Sequence, residues 1–301
     1  MTSRLLYILC KCFALLPFPV LYLISDLAFL LIYHVVRYRR HVVDENLRCC
    51  FPGKSERERA GIRRRFYRNF CDTFVEAVKL LHISDMEIAR RMKFENVELI
   101  DGLLSQGRSI AVYFSHCGNW EWAPSVTLHT AHHSDVRYCQ VYRPLRNKAF
   151  DALMLRIRSR FGSLSFAKAT VMRDLIKLKR EGLASVTGFM SDQKPSHNDP
   201  TVVAMFLNRP TAFISGTETL ARRMGLAAIY WDMEKLSRGH YRITCRPLDD
   251  GSHCTPTGSL TLKYAAMLEE TIIRNPSIWL WTHKRWKIPV TMPPGQSRLQ
   301  S

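Results

Sequence analysis

The chain has 301 residues, 47% of them hydrophobic, which supports one sizeable core and excludes a disordered or low-complexity protein. Lys and Arg number 44 against 26 Asp and Glu, a formal net charge of +18, so an acidic partner is expected: nucleic acid, an anionic membrane face or an acidic carrier protein. Nine cysteines, odd in number, without a Cys-x-x-Cys pair and with Cys49 and Cys50 adjacent, exclude a disulfide framework or zinc ribbon and point to reduced thiols.

Residues 5–36 are nearly continuous in Leu, Ile, Phe, Val, Tyr and Ala, interrupted by Lys11, Pro17, Pro19 and Asp26. Residues 18–36 approach the length of a bilayer span. Two readings compete, a spanning helix and a helix lying in the interface, and Asp26 with the paired prolines weighs toward the second. No small-x-small cleavage site comes after it, whereas Arg37, Arg39, Arg40 and His41 do. That disfavours a secretory leader and keeps the downstream domain on the cytoplasmic side. Through Phe70 the chain holds thirteen Lys and Arg against five Asp and Glu. A basic tract beside the most apolar stretch fits a membrane surface better than a nucleic-acid arm, so no nucleic-acid partner is expected. The division predicted is an anchor or interfacial helix over 1–40 and a catalytic domain over 41–301.

Residues 57–68 read as a basic helix running into 70–81. The run 107–115 is a buried strand after a Gly turn, and the stretch from Trp120 begins like a helix. Further strands are expected at 136–141 and 183–190, with helices at 148–161 and 169–180. Ser215 and Glu218 form a capping box before 219–224, and Gly225 ends that helix. Segments 227–234 and 240–246 flank Ser237-Arg238-Gly239 as a hairpin, and 258–274 is a last helix. Strands alternating with helices predict an α/β fold, a mostly parallel central sheet flanked by helices. Ligands then sit beyond the carboxyl ends of the strands, where His116 and Asp192 both fall.

The sharpest chemical signal is Ser115-His116-Cys117-Gly118-Asn119-Trp120-Glu121. A His at a strand exit with a Gly turn and a carboxylate five residues on makes a base and its orienter. Imidazole suits the removal of a hydroxyl proton at neutral pH, and a carboxylate on its other nitrogen fixes the tautomer. His and Glu five apart do not share a helix face, so the turn at Gly118 has to bring them together. Alone, the spacing recurs by chance, and a hydrogen-bonded core His beside a surface Glu is the bland alternative.

These residues resemble the HFGNWE signature of the lipid A biosynthesis lauroyl/myristoyl acyltransferase family, within the lysophospholipid acyltransferase superfamily and its H-x4-(D/E) motif. Further blocks match in order: YRPLRNKAFD at 142–151 with RSRFG at 158–162, SDQKP at 191–195, FLNRPTAFISGTETLARRMG at 206–225 and WLWTHKRWK at 279–287. The N-terminal RYRRHVVDENLRCCFP at 37–52 is similar too. Cys117 departs from the usual Phe, and Asn208 stands where Gly is common. The resemblance implies a glycerol-3-phosphate-acyltransferase-like fold with an N-terminal membrane-associated helix. It implies transfer of a fatty acyl chain from an acyl carrier protein thioester, or acyl-CoA, to the hydroxyl of a 3-hydroxyacyl chain of a lipid A precursor. Carried over by motif, His116 is the general base and Glu121 its partner. Asn119 shapes the turn or the oxyanion site, Arg143 holds a lipid phosphate or the oxyanion, and Asp192 and Gln193 line the pocket. No metal, cofactor or covalent intermediate is required, since a thioester is already activated; Arg143 and the turn amides near Gly118 are the candidate oxyanion donors.

Other features carry less. His129, His132 and His133 lack the companion ligands of a metal site. Cys117 is a neighbour of the base rather than an activated nucleophile. Trp120, Trp122 and the tryptophans at 279–286 read as core or interface aromatics, and Arg285 and Lys287 as surface charges facing phosphates. The absence of G-x-S-x-G disfavours a serine hydrolase. The rival functions are the same chemistry on another glycolipid or aminolipid, and a non-catalytic basic scaffold bound to membrane or nucleic acid.

Overall fold

The computed structural model describes residues 3–131, 134–252 and 254–292. The chain opens with α1 (Ser3–Leu15) and α2 (Phe18–Leu30), separated where Pro17 and Pro19 start a new helix, and α2 runs into a π-helical turn over Leu31–Val36. Phe18–Val36 is the one stretch among the described residues long and apolar enough to cross a membrane. Next come α3 (Arg40–Cys50) and α4 (Glu56–Lys79), the latter opened by a reciprocal capping box between Ser55 and Glu58. The basic face of α4 is solvated at Arg64, Arg65 and Arg68, while Arg63 is buried against Asp44 and Tyr33.

Then come α5 (Asp85–Arg91), β1 (Met92–Glu95), α6 (Glu98–Ser105), β2 (Ile110–Phe114), β3 (Val136–Tyr142), α7 (Lys148–Arg158), β4 (Leu164–Ala167), α8 (Val171–Arg180) and β5 (Ala184–Met190). The hairpin strands β6 (Thr201–Phe206) and β7 (Arg209–Ile214), α9 (Gly216–Met224), β8 (Ala227–Ser237), β9 (His240–Asp249) and α10 (Ser259–Arg274) complete the order. Seven strands form one sheet in the order β1-β9-β8-β2-β5-β3-β4, with β6 and β7 apart as a small antiparallel pair. From β8 to β4 all neighbours are parallel, while β9 runs antiparallel to β8 and carries β1 parallel to itself. The expected mostly parallel α/β sheet is therefore present, and its centre, β2, is buried nearly throughout, as an apolar run covered on both faces should be.

Two local expectations change. The stretch after His116 forms a 3-10 helix, Trp120–Leu128, rather than an α-helix, because Pro124 cannot donate the hydrogen bond that an α-turn needs. Ser215 does not cap α9. Its supposed partner Glu218, 1% exposed, instead accepts from the Gly258 and Thr261 amides at 2.7 and 3.0 Å and so caps α10. The Asn208 departure has a physical reason: Leu207 and Asn208 form the two-residue turn between β6 and β7 with φ of 49° and 62°. Asn tolerates that left-handed region nearly as well as Gly does.

Candidate active site

Strands β2 and β5 lie side by side in register, Phe114 opposite Met190. Two residues beyond each, His116 and Asp192 leave the carboxyl edge of the sheet together. The carboxylate of Asp192 is 2% exposed and accepts three hydrogen bonds. His116 Nδ1 donates to Oδ1 at 2.7 Å, the His116 amide to Oδ2 at 3.0 Å and Trp279 Nε1 to Oδ2 at 2.9 Å. Burial alone would raise its pKa, but the adjacent imidazole and these three donors hold it down to about 2. An ionised Asp192 assigns the hydrogen to Nδ1 of His116 and leaves Nε2 with its lone pair. The ring keeps 17% of its surface exposed, and Nε2 faces the Gln193 side-chain amide at 3.1 Å.

The last block of the chain builds the support under this pair. The Gly118 amide donates to the Ile278 carbonyl at 2.9 Å, Leu280 donates to the His116 carbonyl at 3.1 Å, and Cys117 bridges Trp279. Of the turn amides near Gly118 expected as oxyanion donors, that of Gly118 itself is already bonded within the fold. Gly118 itself sits at φ 57°, and a Cβ there would lie 3.0 Å from Met233 and 3.2 Å from the Tyr241 ring. Only glycine meets both conditions.

The other expected residues fall in distinct places. Glu121 points away from His116: Arg158 grips its carboxylate bidentately at 2.6 and 2.8 Å, and Trp120 Nε1 adds a third bond at 3.1 Å. The carboxylate on the imidazole is therefore Asp192, and among the described residues Glu121 is linked to His116 through Trp120, whose ring stands edge-on to the imidazole with centroids 5.1 Å apart. Asn119 is fully buried and donates to Glu76 at 2.8 Å, while its Oδ1 has no partner among the described residues. Arg143 comes directly after β3 at the same edge of the sheet, exposed and without a side-chain hydrogen bond among the described residues. Lys287 is exposed as expected, but Arg285 is not a surface charge. It is 3% exposed, donates to the Ala212 carbonyl at 2.6 Å and covers the Phe213 ring, and burial pushes its pKa down to about 10.

Burial pushes the Cys117 thiol well up, which removes it as a nucleophile. No group of three metal-ligating side chains occurs among the described residues; of the histidine cluster, His132 and His133 lie outside them. Reading the sequence alone missed three neighbours of the site. Trp279 and Arg158 recognise carboxylates from 87 and 37 residues away, and Glu76 lies fully buried beneath the turn. The terminal block was the signal for Trp279 and the RSRFG block the signal for Arg158, though neither named a carboxylate partner, and nothing local marked Glu76.

A mostly parallel sheet with a carboxylate-steadied, partly exposed imidazole at its carboxyl edge defines an α/β protein with a group able to accept a proton there. The family model described as bacterial lipid A biosynthesis acyltransferase matches residues 2–288, and the chain belongs to that family. It is similar to the lipid A biosynthesis palmitoleoyltransferase of Escherichia coli (strain K12), 24% identical over 94% of this chain and 89% of that protein. The lipid A biosynthesis lauroyltransferase of the same strain is 25% identical over 93% and 88%, and a lipid A biosynthesis acyltransferase of Shigella flexneri is 24% identical over 94% and 89%. The protein is an acyltransferase acting in lipid A biosynthesis.

Proposed function

We propose that the chain moves a fatty acyl group from an acyl carrier protein thioester to the hydroxyl of a 3-hydroxyacyl chain of a lipid A precursor. His116 is the general base. The observation carrying this is a partly exposed imidazole with Asp192 on Nδ1 and its Nε2 held by the side-chain amide of Gln193. The acceptor hydroxyl displaces Gln193 from Nε2 and gives up its proton there as its oxygen attacks the thioester carbonyl. The tetrahedral oxyanion collapses, the C–S bond breaks, and the imidazolium returns the proton to the leaving thiolate. Asp192 stabilises the imidazolium without itself being protonated.

Gln193, freed from the ring, serves as the oxyanion donor in this reading, and one such donor typically contributes about 3–4 kcal/mol to the transition state. Arg143, an exposed cation at the same edge, takes the phosphate of the acceptor. Glu121 and Arg158 act as positioning residues that hold Trp120 against the imidazole, and Asn119 shapes the turn. Residues 1–40 associate with the cytoplasmic face of the inner membrane and 41–301 form the catalytic domain. Mass spectrometry of lipid A from a strain lacking the gene tests the acceptor: one acyl chain fewer is expected, and an unchanged acyl count would reject lipid A as the product.

A further inference from the structure

Helix α2 has two opposed apolar faces. Phe18, Leu21, Ser25 and Phe29 are buried against the domain, whereas Val20, Leu23, Leu27, Leu30 and Leu31 form an uncharged stripe on the outside, continued by Val35. Polar bonds hold the inner side of α2 and the end of α1 before it. Ser25 donates to Asp72 at 2.7 Å, Tyr22 to Glu76 at 3.0 Å, and Lys79 to the Ala14 and Leu16 carbonyls at 2.8 Å. Arg238, at the tip of the β8–β9 hairpin, joins Asp26 to Asp72 at 2.9 and 2.7 Å. The hairpin tip meets α2 so closely that a Cβ on Gly239 would stand 1.9 Å from Tyr22 Oη.

A row of arginines lines the seam. Arg156 lies over Tyr7, Arg91 over Phe18, Arg238 over Tyr22, Arg68 over Phe29 and Arg40 over Tyr33, each with its guanidinium carbon 3.7–5.2 Å from the ring centroid. The row runs from Tyr7 in α1 along α2 to Tyr33 in the π-helical turn. If α2 crossed a bilayer, these cations, Asp26 and the hairpin tip would be drawn into the hydrocarbon with it, the placement that membranes penalise most. If α2 lies flat, the same row stands beside the lipid phosphates while the outer stripe enters the acyl layer. Aromatic rings and arginines at headgroup depth are what an interface selects.

We propose that α1, α2 and the π-helical turn form a monotopic docking face that lies in one leaflet of an anionic phospholipid bilayer and does not cross it. Arg68 and Arg156, exposed and without an acidic partner among the described residues, face its phosphates. Docking on this face keeps the sheet edge that carries His116 on the same side of the membrane as α1.

Two measurements on the full chain test the face. With short protease-cleavable tags at both ends, inverted inner-membrane vesicles are expected to expose both tags and intact spheroplasts neither. Cleavage of the N-terminal tag in spheroplasts would overturn the proposal. Purified protein is also titrated with vesicles of phosphatidylcholine containing phosphatidylglycerol, as wild type and as Arg68→Gln/Arg156→Gln. Affinity is expected to fall roughly fivefold for each arginine removed and to differ little on phosphatidylcholine alone. Equal affinity of the two proteins for the anionic vesicles would overturn the face. Both readouts report topology and binding, so they stay separate from any failure of acyl transfer.

Discussion

Asp192 receives three hydrogen bonds in a place where an unpaired carboxylate could not survive, and it has one geometric consequence, the hydrogen on Nδ1 of His116. Asp192→Asn preserves the volume but offers the ring an amide that can invert the tautomer. The turnover number is expected to fall roughly a hundredfold to ten-thousandfold with little change in KM for the acceptor; steady-state kinetics checks it, and a variant within threefold of wild type would remove Asp192 from the mechanism. His283 makes a second prediction. Its Nε2 accepts from the Lys194 amide at 3.1 Å, and burial lowers its pKa to about 4. Between pH 6.5 and 4 the unfolded chain therefore binds a proton that the native one refuses, so native stability drops as pH falls through this window. In His283→Gln that source is gone, and thermal denaturation at pH 7 and pH 4.5 should give midpoints closer together than in wild type. An equal or larger separation would contradict the assignment.

Among the elements, α4 carries more than its amphipathic pattern suggests. Glu76, fully buried, gathers Tyr22 of α2 at 3.0 Å, Tyr241 of β9 at 2.8 Å and Asn119 of the turn at 2.8 Å, and burial raises its pKa. Removing it orphans three donors at once, so Glu76→Ala should cost about 2–4 kcal/mol. Glu76→Gln retains acceptor capacity for the tyrosines and should recover at least half of that loss. Denaturant unfolding of the two variants decides: equal destabilisation would contradict this, because an amide of nearly the same volume would then restore nothing and the site would need both carboxylate oxygens. Legibility differed by element for physical reasons. The strands β2 and β5 were readable because central strands of a parallel sheet are apolar on both faces, and this alone put His116 and Asp192 at one edge. Short elements such as β1, β4 and α6 bury too few residues for a period to emerge. The partner of Glu121 was unreadable because nothing within five residues reveals that Arg158 takes the carboxylate. Arg285 was misread because charged residues are seldom buried, and its compensation by the Ala212 carbonyl and the Phe213 ring exists only in the folded chain.

For the whole molecule, a net charge of +18 falls on an enzyme proposed to meet two anionic partners, a carrier protein and a phosphorylated lipid. Electrostatic complementarity mainly raises encounter rates and is screened by salt. Raising the ionic strength from about 0.05 to 0.5 M, a range over which the Debye length falls severalfold, should therefore increase KM for the carrier thioester several times while the turnover number at saturation stays within twofold. Kinetics with KM independent of salt would point to a donor recognised by its acyl chain alone. The central claim is that one imidazole, steadied by Asp192, takes the acceptor's proton. It is tested most directly by incubating purified His116→Ala, folded and still bound to membrane, with acyl carrier protein thioester and a 3-hydroxyacylated lipid A precursor. Product formation is expected to disappear while wild type acylates the precursor, and acyl transfer by the variant at the wild-type rate would contradict the account.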